Sequence, residues 1–126
     1  MSVESNLSII RERKDAILNG DAALIAEQKK AGKLTARERV DKLLDSGSFV
    51  ELDVLCADAG VITGYGTIDG DAVYVYAQDL TVNGGAVGEK HAKKVLKAME
   101  LAGLPPVEGT FQDAYAEFSE MCLEYA

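Results

Sequence analysis

Apolar residues recur at helical spacing through the first quarter of the chain. Leu7, Ile10, Ala16 or Ile17, Leu24 and Ile25 stand among charges over about residues 5–30, which predicts a helix, and Gly20-Asp21 predicts a break within it. Thr35 and Glu38 have capping-box spacing, each able to satisfy the other's backbone amide, so a short helix is expected to start there. Val40, Leu43 and Leu44 give it one apolar face, and Ser46-Gly47 is the expected stop, because glycine takes the left-handed conformation without strain.

From Phe49 the period falls to two. Phe49, Glu51 and Asp53 alternate with Val50, Leu52 and Val54, which predicts a strand with one apolar face. Val61–Ile68 and Ala72–Ala77 flank Asp69-Gly70, the pair that a tight hairpin favours because both central residues need positive φ. Gly64 and Gly66 inside the first of these strands mark a bulge or a close approach by another chain segment. Val73–Ala77 reads as a buried strand with valines on one face and tyrosines on the other.

A turn containing Gly84 and Gly85 leads into a helix expected over residues 86–102. Steps of 100° put Gly88, Ala92, Val95, Met99 and Ala102 on one side, with Lys90, Lys93, Lys94 and Lys97 on the other. Gly103-Leu104-Pro105-Pro106 ends it, and a last helix is expected from Thr110, with Phe111, Tyr115, Phe118, Met121, Cys122 and Tyr125 on its apolar side. The pattern is α/β: a helical segment over 1–47, three strands and a helix over 48–103, and a C-terminal helix over 104–126.

Composition narrows the function. At 126 residues the chain has room for one modest domain, and no apolar run approaches the roughly 18 to 20 residues that span a bilayer. The first ten residues lack the basic start and apolar middle of a signal peptide, so a cytoplasmic protein is expected. With 21 acidic residues against 13 basic, the net charge of −8 repels phosphate backbones and argues against nucleic acid as a partner. Glu89–Glu100 reverses the sign locally, with four lysines against two glutamates.

Reactive side chains are few. Cys56 and Cys122 are far apart and His91 is the single histidine, so a Cys/His metal site is not expected and buried thiols are. His91 sits at the edge of the apolar face with no evident orienting partner, which favours a packed neutral ring over a general base. Asp79 either caps the turn after its strand or faces a cleft at the strand end. No catalytic residue is assigned.

Three strings in order carry a resemblance: GKLTARERVDKLLDSGSFVELD from Gly32 to Asp53, GVITGYGTIDG from Gly60 to Gly70, and VYVYAQDLTVNGGAVGEKHAKKVLKAMELA from Val73 to Ala102. Together they resemble the N-terminal part of the carboxyltransferase subunit of biotin-dependent acyl-CoA carboxylases and decarboxylases, over about residues 30–102. The resemblance implies a partial crotonase-like fold built on a ββα unit. It also implies a reaction moving carboxyl between carboxybiotin and an acyl-CoA, with biotin on a carrier protein and further carboxylase subunits as partners. Backbone amides in such enzymes form the oxyanion holes. The tail LPPVEGTFQDAYAEFSEMCLEYA from Leu104 departs from the family, which has there a strand and a glycine-rich turn resembling Asp-Ser-Gly-Gly-Ala-Arg.

Carried onto this chain, the resemblance makes Gly84, Gly85 and Ala86 a candidate CoA contact, since glycine lets a ligand approach the backbone and a helix start attracts phosphate. The plain alternative is a tight turn onto a helix. Lys90 and Lys94 are candidate phosphate partners, and the alternative is a solvated helix face. Two functions stay open at this point: an N-terminal piece or shortened relative of a carboxyltransferase, inactive alone, or a non-catalytic interaction protein on the same scaffold. The three strands cannot complete a spiral, so an open sheet edge is expected to be covered by the tail helix or by a second copy.

Overall fold

The computed structural model describes residues 2–103. Helices α1 (Val3–Asn19) and α2 (Ala22–Lys30) come first, broken where expected, with Gly20 at φ 62° and the Asp21 carboxylate accepting from the amides of Ala23 and Leu24. Neither helix buries a residue. Helix α3 (Ala36–Leu43) opens on the capping box: Thr35 accepts from the Glu38 amide at 3.2 Å, and Glu38 accepts from the Thr35 amide at 2.9 Å. Lys29 pairs with Glu38 at 2.6 Å, which ties α2 to that cap. The ion pair first, and the Thr35 amide second, hold the Glu38 carboxyl below its ordinary range.

Strands β1 (Val50–Leu52), β2 (Val61–Ile68) and β3 (Asp71–Gln78) form an antiparallel sheet in that order. A short 3₁₀ turn at Ala57–Ala59 precedes β2. The hairpin turns at Asp69 (φ 51°) and Gly70 (φ 85°), the two positive values that a type I′ turn requires. Helix α4 (Glu89–Leu101) completes the ββα unit, its N-cap at Gly88.

The register sorts the two faces of the sheet. Val61, Thr63 and Tyr65 share a face with Gln78, Tyr76 and Tyr74, and α4 packs there: Ala59, Val61, Val95 and Met99 form the core, with Cys56 and Leu96 against it. On the other face α3 lies over β3, with Val40 and Leu44 buried. Between the layers Thr63 is 1% exposed.

Both strand glycines are sites of close approach. A Cβ on Gly64 would strike the Val50 carbonyl and the Phe49 ring, and one on Gly66 would lie 2.9 Å from Leu44 Cδ1 and 3.0 Å from Ser48 Oγ. The turn is held from outside the sheet. Asp45, just past α3, accepts from Thr67 Oγ1 at 2.6 Å and from the amides of Asp69 and Gly70 at 2.9 Å each, while its own amide donates to Thr67 O. Those bonds, led by Thr67, lower the Asp45 pKa.

Five expectations need correction. Helix α3 ends with Leu44 already extended (ψ 156°), before Gly47, because Leu44 turns inward to meet Gly66. Leu43 is 56% exposed, since the inward stripe runs Ala36, Val40, Leu44. In β1 the apolar face is unevenly covered: Val50 is exposed and Leu52 half-buried, while Phe49 and Glu51 face α3, where Glu51 meets Arg37. Strand β3 is not buried; as an edge strand it leaves Tyr74 and Tyr76 about two-fifths exposed. Finally, α4 starts at Glu89 rather than at residue 86, because Asn83, Gly84 and Gly85 all take positive φ and Ala86 is extended. The expected tail helix and Cys122 lie outside the described residues.

Replacing Gly64 by alanine should lower stability by about 1–3 kcal/mol, the usual cost of overpacking, because the obstacles are the Val50 backbone and the half-buried, rigid Phe49 ring rather than a flexible side-chain tip. Gly88→Ala, with open space around its Cβ position, should cost markedly less. Thermal unfolding of the two variants checks this; equal melting temperatures would contradict it.

Candidate functional site

The segment joining β3 to α4 carries most of the sequence-predicted residues. Asp79 Oδ1 accepts from the Thr81 amide at 2.9 Å and from Thr81 Oγ1 at 2.6 Å, so its carboxylate caps the turn. Asn83, Gly84 and Gly85 then form a 3₁₀ turn with φ values of 49°, 62° and 79°. A Cβ built on Gly85 would lie 3.0 Å from Leu80 Cδ1, whereas nothing lies within 4 Å of a Cβ built on Gly84. The bare Gly84 backbone therefore faces open space. The amides of Gly85 and Ala86 donate to Val82 O and Asn83 O, so they are spent on the turn itself.

Gly84 and Gly85 form one end of a groove of about 580 Å³. Its walls come from α3 (Arg39, Val40, Leu43) and from the outer part of β3 (Val75, Ala77). Lys90 stands on the other side of the turn, where its ammonium pairs with Asp58 at 2.7 Å and Asn83 Nδ2 donates to the Asp58 carbonyl. The hydrogen bond that Lys90 donates to Asp58 raises the Lys90 pKa, and the same bond lowers that of Asp58.

The four lysines do not share a role. Lys93 pairs with Glu89 at 2.8 Å and Lys97 with Asp53 at 3.0 Å, both exposed. Lys94, expected beside them on the polar face, is instead 6% exposed and donates to the Val61 carbonyl at 2.7 Å. Burial pushes its pKa down and the Arg37 charge adds to that, while Glu51, Cys56 and Asp53 oppose it. Helical spacing alone places Lys94 only at the margin of the buried stripe; what draws it in is a strand-end carbonyl within reach of its long stem.

His91 is buried, as expected, at 2% exposure. Its Nε2 lies 3.3 Å from Gln78 Nε2, and among the described residues Nδ1 has no partner of hydrogen-bonding geometry. Burial is the main influence lowering its pKa, partly opposed by the Ala59 backbone.

A second concavity, about 290 Å³, lies at the start of β2, with residues of α1, α3 and α4 among those lining it. Lys94, Cys56 and Asn83 line it, together with Arg37 and Glu51, which form a bidentate pair at 2.6 and 3.0 Å. Sequence reading passed over that pair because its members are 14 positions apart on different elements. Among the described residues no group of three or more potential metal-ligating side chains converges, and no helix is long and apolar enough to cross a membrane.

A family profile described as carboxyl transferase domain matches residues 27–105. The chain is 42% identical over 128 aligned positions to the methylmalonyl-CoA decarboxylase alpha subunit of Propionigenium modestum, covering 88% of this chain and 25% of that protein. It is 49% identical over 104 positions to the propionyl-CoA carboxylase beta chain of Roseobacter denitrificans, covering 71% and 20% respectively. Among solved structures, transcarboxylase 12S with methylmalonyl-CoA and methylmalonic acid bound superposes with a TM-score of 0.73 at 36% identity, over 81% of this chain and 23% of that one. The chain thus spans about a fifth to a quarter of the length of the curated relatives it matches, and its α/β fold is part of theirs.

The buried histidine gives a pH test. Because its folded pKa lies below 6.5, the unfolded chain binds the extra proton first, and stability should fall as pH drops from 6.5 toward the folded value. His91→Gln should flatten the change in melting temperature between pH 7.5 and 5.5. An unchanged slope in that variant would assign the acid sensitivity elsewhere.

Proposed function

The chain belongs to the carboxyl transferase domain family, and from that premise we propose that residues 27–103 supply the opening, acyl-CoA-facing unit of an enzyme that moves carboxyl between carboxybiotin and an acyl-CoA. The observation that carries this reading is the Asn83–Gly85 turn. Three successive positive φ values present the Gly84 backbone to open space at the end of a groove, which suits the close approach of an extended ligand such as the pantetheine arm of CoA. Gly85 and Ala86 shape that approach. Lys90, beside the turn, is the phosphate partner in this reading, and the α4 start at Gly88, with no side-chain cap, adds backbone donors. Lys94 supports the fold of the site from below rather than meeting phosphate, since its ammonium is held by Val61 O.

Biotin fits a different part of such an enzyme. Holding its ureido oxygen calls for convergent amides, and those of Gly85 and Ala86 are spent within the turn. No step of the reaction is therefore assigned to biotin on these residues. A second reading, a non-catalytic assembly role, is favoured by one observation: among the described residues β3 pairs only with β2, so its outer edge is available to another chain.

Titration with CoA separates the two. Binding should be weak and should weaken further with salt, because exposed phosphate contacts are screened over about 8 Å at physiological ionic strength. Lys90→Ala should reduce affinity several-fold at low salt, and Gly84→Ala should reduce it more, by placing a methyl in the open space and straining φ. No binding at low salt would remove the CoA-facing reading. Turnover is a separate test. The 126-residue chain, given methylmalonyl-CoA as carboxyl donor with free biotin as acceptor, should give none above the buffer blank, because the amides of Gly85 and Ala86 are spent within the turn and losing one oxyanion donor already costs about 10²- to 10³-fold. Measurable carboxyl transfer would overturn that expectation.

A further inference from the structure

We propose that helix α1 carries a self-association seam, on which a second copy of this chain docks its own α1 antiparallel. The seam is independent of both readings above, since α1 lies outside residues 27–105, which the family profile matches, and supplies no residue to the groove beside Gly84. Val3, Leu7, Ile10, Lys14 and Ile17 follow one another at steps of four, three, four and three, the spacing that keeps one stripe of a helix facing a partner helix. The first three are 74%, 44% and 47% exposed, and the 17-residue helix buries no residue. The far end of the stripe does reach its own chain: Ile17 lines the cavity at the start of β2, and Lys14 lines a concavity beside Val50.

The charges beside the stripe select the occupant and its direction. Every ion pair among the described residues lies outside α1, so Glu4, Arg11, Arg13 and Lys14 hold no opposite charge there. Two parallel copies in register would stack Lys14 on the partner's Lys14. Their flanks would set Asn6 against the partner's Arg11 and Arg13 against the partner's Leu18, with no opposite charges meeting. Antiparallel copies with Leu7 opposite the partner's Ile10 do better. Glu4 then faces the partner's Arg11, and by the two-fold symmetry Arg11 faces the partner's Glu4. Lys14 lies opposite the partner's Val3, so its stem covers a valine while its ammonium stays beside the partner's Glu4 or in water. Sliding the pair by one heptad, with Leu7 opposite the partner's Ile17, sets Arg11 against the partner's Arg11 and Arg13 against the partner's Arg13. That register also competes with the chain's own body for Ile17.

The antiparallel direction suits the rest of the molecule. Helix α1 joins its body at its C-terminal end, so the two bodies of such a pair lie at opposite ends of the seam, whereas a parallel pair would crowd them together. A closed two-fold uses the same patch on both copies and leaves no bare stripe to recruit a third. Four facing layers make a small interface, of the class that forms transiently, so monomer and dimer should exchange with concentration. The polar Lys14 weakens the seam and fixes its register, as a single polar residue does in the core of a coiled coil.

Sedimentation velocity of the full chain over a concentration series tests this, with Glu4→Lys and Arg11→Glu variants measured alone and mixed. The unsubstituted chain should shift from monomer toward dimer as concentration rises. Each single variant should dimerise several-fold more weakly, because like charges then meet across the seam. An equimolar mixture of the two should regain the dimer, since both flanks of a mixed pair join opposite charges. The doubly substituted chain, Glu4→Lys with Arg11→Glu, should dimerise as the unsubstituted chain does, which separates loss of pairing from loss of the helix. A chain that stays monomeric throughout, single variants that associate as before, or a mixture that does not recover the dimer overturns the proposal; unaffected single variants would assign the contact to the β3 edge or another surface. Binding of CoA reads a different surface, so each of these outcomes stands whether or not CoA binds at the glycine turn.

Discussion

Two missing side chains set the geometry of the sheet. Strand β2 pairs on both edges; at Gly64 its backbone lies so close to Val50 and Phe49 that a single methyl has nowhere to go, and at Gly66 Leu44 and Ser48 fill the space a side chain would take. The short β1 can pair with β2 only because Gly64 admits it, and Leu44 leaves the helical path to cover Gly66. The position of β2 then fixes the rest. Val61 at its start both anchors the α4 core and offers the carbonyl that Lys94 takes. The hairpin after it aims β3 at the turn that carries Asn83–Gly85.

Charge in this acidic chain is arranged by pairing rather than by exposure. Arg37 and Glu51 form a partly buried bidentate bridge from α3 to β1, Lys97 reaches Asp53 beyond β1, and Lys90 reaches Asp58 before β2. Each of these links elements distant in sequence, so the ion pairs act as orientation devices more than as sources of stability. Removing one member of the Arg37–Glu51 pair would leave a partly desolvated charge behind, which costs more than the pair contributes. Lys94 is the exception among the helix lysines, a buried ammonium held by a neutral carbonyl.

Local chemistry was the most legible part of the sequence. The capping box at Thr35 and Glu38, the break at Gly20-Asp21, the Asp69-Gly70 turn and the close approach at Gly64 and Gly66 all depend on residues within a few positions of one another or on glycine's lack of a side chain. What escaped depended on tertiary partners. The alternation in β1 could not say which face was inward, because Glu51 is drawn in by Arg37 from another element. Helical angles could not reveal that Lys94 folds beneath the sheet end. The Asn83–Gly85 turn was placed correctly, but its three positive φ values delay α4 to Glu89, a length that composition does not encode. The family resemblance, carried by three ordered strings, was legible because those strings hold the special glycines together with the hairpin and the α4 stripe.

The Asp45 carboxylate has a kinetic meaning as well as a structural one. It binds Thr67, Asp69 and Gly70, partners 22, 24 and 25 positions further along the chain. Those bonds cannot form until the hairpin has turned and come back to the end of α3, and closing a loop twice as long costs only about 0.6 kcal/mol more in chain entropy. The carboxylate therefore acts as a latch between a segment that can form locally and one that must be delivered from a distance. It rewards the arrival of a correctly turned hairpin and gives nothing to a slipped one, since a shift of one residue would carry Thr67 Oγ1 to the opposite face of the sheet. Strand register in this small sheet is thus proofread from outside the sheet, by a side chain that belongs to none of its strands.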